Sequence, residues 1–343
     1  MPVIAAADLR ALMRELLIGI GTPGDVAGMV GDSLVDANLA GHDSHGVIRI
    51  LHYLEMCEAG EVFPAAEPEI VRQHGATVTI DGKWGWGQRS MWMATYAACE
   101  RAREYGLGAA VVQNSYHIGR VAPYVEHLAR EGMIGLAMAN AGRAVAPFGG
   151  RQRVMGTNPI AWAVPRGGGQ EPIALDVATA FIAEGKVRVA RAREVECPEG
   201  AIMDKDGFPS VNPNDFYNGG ALKAFGAHKG SGFSILAQLV GVGLAGAHPD
   251  TLFRHRGGNG PLILAIDVSA FVEPATFLDR VEAQAVEIKG CTPAAEVECV
   301  LLPGDPELVT RAERERDGIP VPESTWTAIQ EIHTRLCAGE ETR

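Results

Sequence analysis

Gly19-Ile20-Gly21-Thr22-Pro23-Gly24 is the stretch on which the fold turns, because it satisfies the G-x-G-x-x-G pattern of phosphate-binding loops. In a doubly wound dinucleotide fold that loop must leave a strand and open a helix. Here the preceding residues set Leu9, Leu12, Met13, Leu16 and Leu17 at helical spacing over residues 7–20, and Pro23 would sit inside the turn. Thr22-Pro23 instead supplies an N-cap and a first-turn proline for a second helix running to about Leu39. The glycines therefore stop one helix and start another, and this segment is not a nucleotide loop.

Working outward, a third helix is expected from Asp43 or Ser44 through Met56 to Ala59. From Ala76 onward, short β-branched strands alternate with helices. Strands are read at 76–80, 108–113, 133–139, 160–164, 173–175 and 262–266, and helices at 88–105, 121–131 and 230–247, an α/β pattern. The tail forms two more helices, 306–316 and 325–336, expected to pack back on the first ones. The division that follows is an N-terminal helical region, 1–75, packing with 305–343, and an α/β region, 76–304, that binds cofactor and substrate. Three glycine-rich loops, 141–158, 165–171 and 197–230, are long enough to suggest function. The apolar run from Gly230 to Ala247 falls short of the roughly 20 residues of a membrane span and contains Gln238, so it is expected as a helix buried in a large core.

The 343 residues carry a net charge of -12, which disfavours nucleic acid or an anionic membrane as partner. An anionic ligand must then be held by local Arg and Lys. Six scattered cysteines without a C-x-x-C pair, and no secretory leader pattern, point to reduced thiols and a cytoplasmic location.

Chemistry concentrates in Gly41-His42-Asp43-Ser44-His45-Gly46-Val47-Ile48-Arg49. With Asp43 or Ser44 as N-cap, His45, Arg49 and Tyr53 fall at i, i+4 and i+8 and share one helix face. Arg49 suits a carboxylate through its two parallel N–H donors, His45 suits proton transfer, and Ser44 can orient the imidazole or the substrate. His42-x-x-His45 also has the spacing of a metal pair, although no further ligand at suitable spacing completes it. A metal-dependent hydrolase built on His42 and His45 is thus a competing reading. His117, in Asn114-Ser115-Tyr116-His117-Ile118-Gly119-Arg120, follows a strand at the end where α/β sheets bind ligands. Thr157 and Asn158 lie in a Gly-Thr-Asn-Pro loop able to approach a carboxylate or phosphate, Asp176 ends a strand, and His228-Lys229-Gly230 opens the apolar helix as an anion site.

Taken in order, several segments resemble the malate/L-lactate dehydrogenase type 2 family, whose activities include 2-hydroxycarboxylate dehydrogenases and cyclic imino acid reductases. They are Ser44-His45-Gly46 with Arg49 and Tyr53; Asn114, His117 and Gly119; Gly156-Thr157-Asn158-Pro159; Asp176 with Ala178-Thr179 and Gly185-Lys186; His228-Lys229-Gly230; and Leu302-Pro303-Gly304. The resemblance covers about residues 7 to 320. It implies an α/β mixed-sheet fold that is not Rossmann-like, a homodimer or higher homo-oligomer, and NAD- or NADP-dependent hydride transfer at C2 of a 2-oxo, 2-hydroxy or 2-imino acid. His45 matches the acid/base position, Asp176 its carboxylate partner, and His117 a second active-site histidine. Arg49 matches the carboxylate anchor, with Tyr53, Thr157 and Asn158 beside the substrate. Asn140, Ala141, Asp176, Val177, Ala178, His228, Lys229 and Gly230 are implied cofactor contacts, and no metal is implied. Ala180, Ser231 and Ala201-Ile202 depart from the family pattern near the substrate and cofactor region, so substrate size and cofactor preference do not carry over.

Overall fold

Strong helical periodicity before Glu58 and β-branched alternation after Ala76 divide the chain into two stretches of different texture. The computed structural model describes residues 1–245 and 258–337. After a short strand β1 (Val3–Ile4), helices α1 (Ala6–Gly19), α2 (Gly24–Leu39) and α3 (Arg49–Glu58) pack together. The stretch between α1 and α2 is a helix–helix turn, with Gly21 at φ +87° and the Gly21 N–H bonded to Ile18 O. Thr22 does not cap α2: Pro23 holds that position, while Thr22 Oγ1 accepts from Trp86 Nε1 at 3.1 Å.

The main sheet is mixed and seven-stranded, in the order β2 (Glu69–His74), β3 (Thr77–Asp81), β4 (Leu107–Gln113), β11 (Leu262–Asp267), β5 (Met133–Met138), β6 (Pro159–Val164), β7 (Ile173–Ala178). Only β3 and β4 run parallel, joined by the crossover helix α4 (Gly87–Tyr105). The remaining pairs are antiparallel, so the sheet is not the parallel one of a doubly wound fold. Gly108 lets α4 lie directly on β4, since a Cβ there would overlap Ala98 O. Alternate β4 residues Ala110 and Val112 join Met91, Ala94 and Ala98 of α4 and Val125 and Leu128 of α5 (Ala122–Arg130) in the sheet core. β2, which pairs with β3, was not read from the sequence: all six of its residues are exposed, and EIVRQH lacks the alternation that marks a half-buried strand.

The tail returns as α10 (Asp305–Asp317), β12 (Ile319–Pro320) and α11 (Glu323–Cys337). Val3 and Ile4 pair with Pro320 and Ile319, and Ile319, Val321 and Ile329 are buried with Leu9, Leu16, Leu34 and Ile50. Two of the long loops fold on each other. Val145 and Met155 of the first pack with Ile202, Phe216 and Leu222 of the second, which forms a small sheet of β8 (Ile202–Met203), β9 (Pro209–Ser210) and β10 (Ala221–Leu222).

Helix α8 (His228–Leu244) corrects the expectation of a core helix, and the end of the expected segment, 246–247, lies outside the described residues. Its buried face is built from small residues, Gly230, Ser231, Ser234, Ala237 and Gly241, and a Cβ at Gly241 would come within 2.5 Å of Asn140 Oδ1. The large side chains point outward, with Phe233, Leu236, Leu239 and Leu244 exposed at 52, 47, 65 and 58%. None of the described helices is long and apolar enough to cross a membrane.

Candidate active site

Asn38, buried in the last turn of α2, shapes the first half of the site. Its Oδ1 accepts from Val47 N at 2.8 Å and its Nδ2 donates to Asp43 Oδ1 at 2.6 Å. Arg314 holds the same carboxylate through both Nη atoms, at 2.6 and 3.1 Å. Asp43 is therefore no helix cap. Residues Asp43–His45 form a single 3-10 turn, Gly46 is extended at φ -82°, ψ -157°, and α3 starts only at Arg49. A Cβ on Gly46 would overlap the Asn38 amide, which makes glycine the residue that lets the turn close. The continuous helix face expected for His45, Arg49 and Tyr53 does not exist, yet the turn brings the groups together.

The rings of His45 and His117 stack with centroids 5.6 Å apart and planes 21° off parallel. Ser44 Oγ lies 3.1 Å from His45 Nδ1. Arg49 Nε donates to Ser44 O at 2.7 Å, and among the described residues no carboxylate pairs with this guanidinium. Burial, followed by the charge of Arg49, holds the His45 imidazole down to about 3, with His42 and Arg120 adding to the effect. Burial and then Arg49 also hold His117 well below its ordinary range. Both imidazoles are neutral near pH 7.

Several expected site residues have other duties. Tyr53 is fully buried, and its hydroxyl meets His117 Nδ1 at 2.8 Å and Gln88 Nε2 at 2.9 Å, so it has no free group for a substrate. The Asn158 amide is likewise enclosed and consumed: Oδ1 accepts from Ala141 N, and Nδ2 faces Ser234 O, Ser234 Oγ and Gln238 Oε1 of α8. Thr157 contributes its carbonyl, which accepts from Thr179 N at 2.8 Å and Thr179 Oγ1 at 3.1 Å. Asp176 is not the imidazole's partner in this chain. Its Oδ2 accepts from Val121 N and Ala122 N at 2.7 and 2.8 Å, capping the start of α5 where a carboxylate meets the positive end of the helix. His42 faces Glu307 at 3.3 Å, and among the described residues no three His, Cys, Asp or Glu side chains gather to hold a metal ion. Nothing supports the hydrolase reading.

The two halves of the site are tied together by Asn259, which the sequence reading did not select, and by Asn140 and Gly185, which it selected for other reasons. Asn259 Oδ1 accepts from Ile118 N at 3.1 Å while its Nδ2 donates to Asn140 O at 2.7 Å, and Asn140 Oδ1 accepts from Gly260 N at 2.7 Å. Gly185, just beyond β7, lies against Ser44, with 3.2 Å between its would-be Cβ and Ser44 Cβ. Beyond β7, Thr179 O accepts from Phe225 N, and Ala180 bridges to Ala224, which joins Val177 and Ala178 to the start of α8. There Gly226 and Ala227 both take φ +55°, His228 packs edge-on against Phe148 and Lys229 is exposed. A cleft of about 850 Å³ opens beside this turn, lined among others by Pro147, Phe148, Arg151, Lys223 and Ala227. A lone Asn or Gly carries no signal of such bridging, because its partners lie more than a hundred residues away.

Residues 4–330 match the malate/L-lactate dehydrogenase family. The chain is 33% identical to the L-sulfolactate dehydrogenase of Methanocaldococcus jannaschii, with 97% of each protein covered. It is also 33% identical to a Delta(1)-pyrroline-2-carboxylate/Delta(1)-piperideine-2-carboxylate reductase of Pseudomonas syringae pv. tomato, with 96% of each covered. Among solved structures, a putative malate/lactate dehydrogenase from E. coli superposes with a TM-score of 0.91 at 32% identity, covering 98% of this chain and 96% of that one.

The depressed histidines make stability depend on pH. An unfolded histidine titrates near 6.5, whereas folded His45 takes no proton until about 3, so the unfolded chain gains protons first as the pH falls. The stabilisation is full above pH 6.5 and declines towards pH 3. From pH 7 to pH 5 His45 alone removes about 2 kcal/mol, at about 1.36 kcal/mol per unit. Urea unfolding at the two pH values should show a loss larger by that amount in the wild type than in His45→Gln; equal losses contradict the assignment.

Proposed function

The chain belongs to the malate/L-lactate dehydrogenase family, and on that premise we propose that it moves a hydride between NAD or NADP and C2 of a 2-oxo or 2-hydroxy acid. The observation that carries this reading is Arg49, a part-buried guanidinium whose one hydrogen bond among the described residues runs from Nε to a backbone carbonyl, beside two neutral imidazoles. A substrate carboxylate completes that set. The planar fork donates two parallel hydrogen bonds to it, which places C2 next to His45 and His117.

His45 moves the proton at the C2 oxygen, and Ser44, bonded at Nδ1, fixes the plane of its ring. Burial is the larger cause that depresses His45 and the charge of Arg49 the second, so a bound carboxylate offsets the Arg49 part and shifts the imidazole upward.

The residues fit a dinucleotide. The start of α8 offers a helix N-terminus with exposed Lys229 for a pyrophosphate, and Val177, Ala178 and Ala141 provide small side chains for a close approach. Asn140 and Asp176 hold backbone amides with their side chains, so their expected contacts with the cofactor would be made by main chain. When bound, the nicotinamide supplies or accepts the hydride.

Cyclic 2-imino acids are the competing substrate class, since one relative bears that name. A panel of 2-oxo and cyclic 2-imino acids assayed with NADH and NADPH separates them by loss of nicotinamide absorbance. Turnover is expected with a 2-oxo acid, abolished in His45→Ala, and Arg49→Lys should raise KM on the order of tenfold or more with cofactor affinity unchanged. No absorbance loss with any acid contradicts the proposal.

We further propose that the outward face of α8 docks a second copy of the chain as a homodimer. Its exposed Phe233, Leu236 and Leu239 form an apolar strip on a helix that cannot span a membrane. Sedimentation should give twice the chain mass for the wild type and the single-chain mass for Leu239→Glu; a monomeric wild type contradicts this.

A further inference from the structure

Tyr53 and Gln88 form a hydrogen-bonded chain behind His117 that the reaction as described does not use. Gln88 is fully buried near the start of α4, and its Nε2 lies 2.9 Å from Tyr53 Oη, which lies 2.8 Å from His117 Nδ1. The polarity of this chain is set by a backbone group. Gly119 N–H also points at His117 Nδ1, at 3.3 Å, and a backbone N–H only donates. Nδ1 must therefore carry a lone pair. Tyr53 then has to donate to Nδ1, its oxygen is left to accept, and Gln88 has to offer its NH2 rather than its carbonyl. The opposite amide orientation would set Gln88 Oε1 and His117 Nδ1, both acceptors, against a hydroxyl with one proton.

The arrangement is kept at an expense. Gln88 Oε1 is buried with no hydrogen-bond partner among the described residues, a state that an apolar side chain of the same length would avoid. Burial also keeps the Tyr53 phenol protonated, pushed up to about 12, so it remains a donor throughout the neutral range.

We propose that Gln88 is a positioning residue which, through Tyr53, fixes His117 in the Nε2–H tautomer, so that His117 presents a hydrogen-bond donor to the C2 oxygen of a 2-oxo acid. This rests on the reading of the site given above. With Nε2 already protonated and Nδ1 doubly bonded to donors, His117 polarises the C2 oxygen without exchanging a proton. The two stacked imidazoles thereby divide the work: His117 binds the oxygen, and His45 carries the proton. A neutral imidazole used as an electrophile has a general precedent in enzyme chemistry.

The tautomer is read directly from long-range 1H–15N spectra of the full-length protein labelled at histidine, with His117 assigned by its loss in His117→Gln. The wild type at pH 7 is expected to show a protonated Nε2 and a bare Nδ1. Gln88→Met, which removes the donor and keeps the length, should mix the two tautomers and lower kcat on the order of tenfold, with KM nearly unchanged because Arg49 is untouched. Tyr53→Phe should shift the tautomer in the same direction, which guards against a Gln88 variant that folds poorly. A wild-type His117 protonated at Nδ1 overturns the proposal, as do variants that move neither the spectrum nor kcat. A wild type that shows the Nε2–H form and yet reduces no 2-oxo acid overturns the assigned reaction and leaves the tautomer standing.

Discussion

A part-buried guanidinium that no carboxylate among the described residues pairs with is the constraint on which the site depends. After burial, Arg49 is the next cause that lowers both imidazoles, and its charge is felt by Tyr53 and Tyr116 as well. Its Nε bonds Ser44 O, and that carbonyl is in place only because the chain turns sharply at residues 43–46. The turn rests in turn on the Asn38 amide, on Arg314 pulling Asp43 aside, and on the absence of a side chain at Gly46. The position of this one charge is thus supported by residues from α2, the 43–46 turn and α10.

The sheet contributes position more than chemistry. Its β4 delivers His117, and the loop after it is pinned by three independent bonds: Asn259 on Ile118 N, Tyr124 Oη on Ile118 O, and Asp176 on the start of α5. Because β11 separates β4 from β5, the segment leading into β11 can reach both the His117 loop and Asn140. The mixed topology is what allows one asparagine to couple the His117 loop to Asn140, the halves proposed for substrate and cofactor. A parallel doubly wound sheet would put helical crossovers between neighbouring strands and a different set of loops at this edge.

The types of chemical group were legible in the sequence, and so was much of the architecture. Pro23 and the helical spacing before it ruled out the nucleotide loop, and His45, Arg49 and His117 do meet. What escaped was every assignment that depends on a distant partner. Tyr53 has the right spacing to face a substrate, but Gln88 and His117 claim its hydroxyl. Asp176 ends a strand as a partner for histidine would, yet two backbone amides of α5 reach it first. The apolar composition of α8 reads as core, and only its contacts reveal that the small residues face inward and the large ones outward. Local pattern reports what a side chain can do, whereas tertiary contact decides which of its groups remain free.

The central claim is that Arg49 is reserved for a substrate carboxylate, with the two histidines sharing the oxygen on C2. A crystal structure with oxamate, an unreactive analogue of a 2-oxo acid, and the oxidised or reduced nicotinamide cofactor tests it most directly. The account predicts the oxamate carboxylate on both terminal nitrogens of Arg49 and its amide oxygen within hydrogen-bond distance of His117 Nε2, with His45 alongside. Oxamate bound elsewhere, or Arg49 turned away to a protein carboxylate in the complex, would contradict it.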